Sequence, residues 1–265
     1  MSGRYELVKV LILVMTYPLP SRGYRETICT GGITEAGEWV RLYPIDYRYR
    51  PMSQQFRKYQ WIEVELSDRG PKNDKRKESR SPKLESIRMI GEPLSTKNNW
   101  RDRKEHIDKL PVSTVHELKL LYEKERVSLG IVKPTKVLDL TIEPSEREWK
   151  SEWDMALRQF NLFGPPPKLL KKIPYKFSYV FECADSTKPH NAMIEDWELG
   201  VLYLKEVNRL GSEEKAAESV KNKYLKELCS ENRDAHFFMG TTFPFNSWVV
   251  LGAFYPKIEK QVSLF

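Results

Sequence analysis

Asp234 and His236 stand two residues apart in Asp234-Ala235-His236-Phe237-Phe238-Met239-Gly240-Thr241, so an extended chain places both on one side. A histidine beside a carboxylate could move a proton or hold a divalent cation. Asp196 and Glu198, on either side of Trp197, form a second acidic pair. On a helix, residues two apart point in different directions, so these do not make a ready carboxylate pair. Cys183 and His190 offer a thiol and an imidazole across a short polar loop. A structural zinc needs four ligands, and one Cys with one His falls short, so no metal is assigned. Asp196, Glu198, Asp234 and His236 are therefore catalytic candidates without an assignable nucleophile or third carboxylate. No cofactor is evident, and a divalent metal enters only if the chain is a nuclease.

Binding chemistry is more plainly written. Asp46-Tyr47-Arg48-Tyr49-Arg50 interleaves cations with rings, and Phe56-Arg57-Lys58-Tyr59 repeats the mixture. Cations neutralise phosphates, and tyrosine faces stack on unpaired bases. The segment from Lys72 to Lys83 adds Lys75, Arg76, Lys77 and Arg80, and a later stretch adds Arg101, Arg103 and Lys104. From Arg41 to Lys104 there are seventeen Lys and Arg against nine Asp and Glu. The chain carries a net charge of +7, so this region holds the whole excess. A clustered excess is the footprint of a phosphate-binding face.

The elements that must position these groups follow from pattern. Residues 7–18 read as a buried strand. Residues 26–45 read as two strands joined around Thr34–Gly37, with Gly37 free to adopt positive φ. Residues 60–67 alternate as a half-exposed strand. The stretch 68–82 has no apolar residue and reads as a loop. Helices are expected over 99–110 and 113–126, the second capped by Ser113, and over 145–160 from a capping-box pattern at Ser145 and Glu148. A strand is expected between the first two helices and the third, over 132–144. After Phe163-Gly164-Pro165-Pro166-Pro167 come a strand from Tyr175, helices over 192–210 and 212–229 with Ser212 as a cap, and paired strands around Phe243-Pro244-Phe245-Asn246. The fold class is α+β. A mixed or antiparallel, strand-rich part spans 1–163, with barrel-like closure open to it. A strand–helix–helix–hairpin part spans 168–260, and the two parts can also form one continuous domain. No apolar run is long enough to span a bilayer, and three widely spaced cysteines suit a reducing, cytoplasmic setting.

The final residues, Gln261-Val262-Ser263-Leu264-Phe265, resemble the bacterial sliding-clamp-binding pentapeptide. Gln261, Leu264 and Phe265 match its usual form, and Val262 stands where Leu is usual. The resemblance implies a tail, 261–265, that docks Leu264 and Phe265 in an apolar pocket of the clamp. The segments MTYPLPSRGYRETICTGGI, GEWVRLYPIDYR, FRKYQWIEVEL and HFFMGT with VVLGAFYPK resemble a widespread family of uncharacterised bacterial proteins. That resemblance implies no activity.

Together these features lead to a DNA-associated accessory protein, with RNA as an alternative ligand. Its basic face would hold nucleic acid while the tail tethers it to a sliding clamp. A metal-dependent nuclease or repair enzyme is a second reading, and a subunit of a phage-defence assembly a third.

Overall fold

The computed structural model describes residues 4–21, 23–158, 169–186 and 188–259. Strand β1 (Tyr5–Met15) shows why the opening apolar run is continuous. Val10, Ile12 and Met15 pack in one cluster with Ile28, Leu42, Phe56 and Ile62. Leu11, Leu13 and Val14 pack in another with Leu129, Phe238, Val249 and Leu251. A strand covered on both faces needs apolar residues at both parities. A register shift between Ile12 and Val14 puts Leu13 and Val14, although adjacent, in the same cluster.

The first sheet continues with β2 (Leu19–Ser21), β3 (Arg25–Thr34), β4 (Trp39–Ile45), β5 (Trp61–Ser67), β6 (Ser79–Arg80) and β7 (Arg88–Ile90). Its order is β6-β4-β3-β1-β5-β7, with β2 beside β3. The turn between β3 and β4 is the expected one: Gly37 takes φ 82° and its N–H donates to Thr34 O at 2.9 Å.

Next come α1 (Lys97–Ile107), β8 (Val112–Ser113), α2 (Val115–Glu125), β9 (Leu129–Val132) and β10 (Lys136–Pro144). They are followed by α3 (Ser151–Arg158), β11 (Tyr175–Glu182), β12 (His190–Met193), α4 (Trp197–Leu210), α5 (Glu213–Lys221), β13 (His236–Thr241) and β14 (Trp248–Phe254). A three-stranded sheet runs β10-β11-β12, and a four-stranded one runs β14-β13-β9-β8. The fold is α+β, and among the described residues no sheet closes into a barrel. No helix there is long and apolar enough to cross a membrane.

Three local expectations shift. Ser113 lies in β8, and α2 is capped by Thr114 instead. Thr114 Oγ1 accepts from Glu117 N at 3.2 Å while Glu117 Oε2 accepts from Thr114 N at 2.7 Å. Thr114→Ala should lower unfolding stability by about 1 kcal/mol in a denaturant titration. The second shift concerns α3, which begins at Ser151 and not at Ser145. Ser145 N donates to Pro174 O at 2.8 Å, which ties the chain to the β10–β11 pairing and keeps it from starting a helix there. The third is β9, a strand inserted beside β13 that the local pattern did not announce. By contrast, Ser212 caps α5 as expected, and Gly211 ends α4 at φ 64°. The expected boundary at Phe163–Pro167 lies outside the described residues.

Candidate functional site

The three sheets leave a cavity of about 950 Å³ between them. β3 and β4 contribute Thr27, Cys29, Arg41 and Tyr43, and β11 and β12 contribute Lys176, Ser178, Asn191 and Met193. Thr241 ends β13 and Trp248 begins β14, and the turn joining those strands brings Phe243 and Phe245. The polar segment after β5 closes one side with Lys72, Asn73, Asp74 and Arg76. Two cis peptide bonds, Tyr43–Pro44 and Phe243–Pro244, each follow an aromatic residue of the wall.

Arg41 is only 2% exposed. Its Nη1 donates to Cys29 Sγ at 2.9 Å and its Nη2 to Ser128 O at 2.9 Å. Ser128 is locked in turn by buried Glu78, whose carboxylate accepts from Ser128 N at 2.9 Å and from Ser128 Oγ at 2.7 Å. Arg41 Nε and Thr241 Oγ1 are buried and have no hydrogen-bond partner among the described residues. Glu195 lines the same cavity. Burial pushes its carboxyl above the usual value, against the pull of the Arg41 guanidinium.

On the rim, Arg76 Nη2 meets Asp74 Oδ2 at 2.6 Å and Arg76 Nη1 donates to Thr241 O at 2.9 Å. Burial works against the Asp74 charge, yet hydrogen bonds from Arg76 and Ser79 hold its carboxyl below the usual value. The Arg76 guanidinium lies 5.7 Å from the Phe243 ring centre. Lys72 and Lys176 are exposed, as is the carboxylate of Glu143.

The cations expected to hold phosphate meet several fates. Arg48 pairs with Glu26 at 3.1 Å, and Arg50 with Asp46 at 2.8 Å. Tyr49 carries the Arg25 guanidinium at 4.9 Å. Lys77 pairs with Glu125 at 2.6 Å, Lys104 with Glu259 at 2.7 Å and Arg101 with Asp102 at 3.6 Å. Arg80 donates to Ser79 O, and Arg103 lies over the Tyr59 ring at 3.7 Å. Arg57 and Lys75 are exposed.

Lys58 is buried, its Nζ 2.5 Å from Asp196 Oδ1 and 3.1 Å from Glu198 Oε2. Burial alone would lower its pKa, but the two carboxylates hold it above the usual lysine value. Asp196 and Glu198 do converge, contrary to the helical-spacing argument. Asp196 is the N-cap of α4, in extended conformation, and its Oδ1 accepts from Glu198 N at 3.0 Å.

Asp234 pairs with Lys133 at 2.6 Å, and His236 Nδ1 lies 3.1 Å from Asp234 O. The four catalytic candidates thus fall into two groups with different lysine partners, Asp196 and Glu198 on Lys58 and Asp234 on Lys133. Among the described residues, Cys183, Asp185 and His190 place ligand atoms within 4.8 Å of one another. That is one donor short of a closed tetrahedral set. Burial raises the Cys183 thiol and lowers the His190 imidazole. Gln261, Leu264 and Phe265 lie outside the described residues.

Sequence reasoning passed over Arg41, Glu78, Ser128 and Glu195. The one local signal was an arginine inside an apolar strand, between Val40 and Leu42.

Three solved structures are similar in outline. A murine DNA binding protein bound with double-stranded DNA is 11% identical, over 96% of this chain and 97% of that one, with a TM-score of 0.31. The p204 HINb domain is 10% identical, over 97% and 98%, at 0.32. A Replication Protein A heterotrimer bound to single-stranded DNA is 12% identical, over 98% of this chain and 67% of that one, at 0.28. Likeness at this level fixes neither topology nor ligand. A search of curated proteins finds no match. Residues 6–109 match one domain of unknown function, DUF8758. Residues 112–265 match a second, DUF8757, and since that match covers more than half of its length, the chain belongs to the DUF8757 family.

Proposed function

We propose that the protein binds nucleic acid at the mouth of the three-sheet cavity and is tethered to a bacterial sliding clamp through residues 261–265. One observation carries the first part. The polar loop of the basic region brings exposed Lys72, and β11 brings exposed Lys176, to a cavity walled by Tyr43, Phe243, Phe245 and Trp248. Cations beside ring faces serve a phosphate backbone and its bases together. Most other cations expected to hold phosphate are paired with acids or rings, which favours the mouth as the contact surface, with exposed Arg57 and Lys75 as further cations of the same region. DNA is the favoured ligand, with RNA open to the same chemistry. This reading assigns no reaction.

Affinity for a fluorescent oligonucleotide should fall linearly on a log–log plot against salt. Reversing Lys72 and Lys176 together to Glu should weaken binding about tenfold or more, and make the salt slope shallower by about two. An unchanged slope in that double variant would remove the mouth from the interface.

The tether rests on the resemblance carried by Gln261, Leu264 and Phe265. A weak nucleic-acid contact and a weak clamp contact reinforce one another when linked. Deleting residues 261–265 should abolish binding to immobilised bacterial clamp and leave the melting temperature in place. Clamp binding that survives the deletion refutes the tether.

A further inference from the structure

We infer that the cavity seats a single nucleobase turned out of its strand, an inference that rests on the nucleic-acid reading above and names what the site recognises.

The size is suitable. At about 950 Å³ the space holds a base with its sugar and leaves room for the flanking backbone. The walls suit a flat ring. Tyr43 and Trp248 line the cavity from strands, and Phe243 and Phe245 line it from the turn, at 53% and 81% exposure. Two large rings left this exposed in one short turn mark a contact surface. An unstacked base has two π faces to cover and finds rings here to cover them.

The deeper wall suits a base edge. A nucleobase edge alternates donors and acceptors, so its pocket needs both kinds in fixed positions. Arg41 Nε is a donor and Thr241 Oγ1 a donor and acceptor, and both are buried with no partner among the described residues. Native proteins rarely leave such groups unsatisfied without a reason. The Glu195 carboxyl and the Asn191 amide line the same space. Cys29 and Ser128 hold Arg41 through Nη1 and Nη2, so the guanidinium is fixed in place before any ligand arrives. Lys72 and Lys176 line the same cavity and are exposed, which suits them to the phosphates that flank a turned-out base.

A free mononucleotide offers the same ring and phosphate, so the test must separate the two sources. Four ligands suffice: a duplex with one bulged 2-aminopurine, the same duplex fully paired, the same duplex with an abasic residue at the bulge, and a mononucleotide. The bulged duplex should bind about tenfold or more tighter than the paired and abasic forms, because stacking on aromatic side chains contributes at that level. Its 2-aminopurine fluorescence should be quenched on binding. Trp248→Ala should remove both effects, and Phe245→Ala, at a surface position that does not threaten folding, should reduce them. Equal affinity for all three duplexes without quenching overturns the base pocket and leaves nucleic-acid binding standing. A mononucleotide that binds as tightly as the bulge also overturns it, in favour of a free nucleotide. If no ligand binds, the nucleic-acid reading falls with it.

Discussion

Lys58→Ala should lower unfolding stability by about 3–5 kcal/mol, the usual penalty for leaving a buried charge without its partner. Lys58 and Asp196 are 7% and 3% exposed at their side chains, so water cannot replace the lost contact. Among the described residues, the Asp196 carboxylate would keep the Glu198 N–H, at 3.0 Å, and the Tyr224 hydroxyl, at 3.4 Å. The loss propagates because Asp196 caps α4 while Lys58 sits just before β5, so one ion pair ties two distant parts of the chain. Urea titrations of the wild type, Lys58→Ala and a Lys58→Met/Asp196→Asn double variant measure this. The double variant removes both charges and keeps a capping side chain, so it should recover a large part of the loss. A single-variant loss below about 1 kcal/mol would place the pair in solvent, against the structure.

Glu78→Ala should lower stability by about 2–4 kcal/mol. Ser128 is wholly buried, and both its N–H and its hydroxyl donate to the Glu78 carboxylate. Alanine leaves those donors without an acceptor and takes an anion from beside the buried Arg41 network. Glu78→Gln retains an acceptor oxygen and should lose roughly half as much. Chemical unfolding of the pair gives the ratio. Equal losses in both variants would show that side-chain shape, not hydrogen bonding, holds Ser128.

The contrast between Gly37 and Lys58 explains what a reader of the sequence can and cannot see. The Gly37 turn, the Ser212 cap and the alternation of residues 61–67 are local: each depends on neighbours within a few positions. Even there a competing contact can win, as at Ser145, whose N–H is taken by Pro174 across the sheet. Lys58 looked like a surface cation beside Arg57, and only Arg57 is one. Its partners lie 138 and 140 residues away, beyond the reach of any local pattern. Asp196 and Glu198 looked divergent because helical geometry was applied to a residue that stands one step before the helix. The cavity is less legible still, because its walls come from three sheets and two turns that meet only in the folded chain. The basic loop after β5 was visible as a cluster of charge, but its place at that cavity was not.

Nucleic acid is proposed to meet the protein at this cavity mouth. Photo-crosslinking with an oligonucleotide carrying 5-iodouracil, followed by peptide mass mapping, addresses it directly. Crosslinks should fall on Tyr43, Phe243, Phe245 or Trp248. Crosslinks confined to Arg101–Lys104 or the Tyr47–Arg50 segment, with none on the cavity wall, would contradict it.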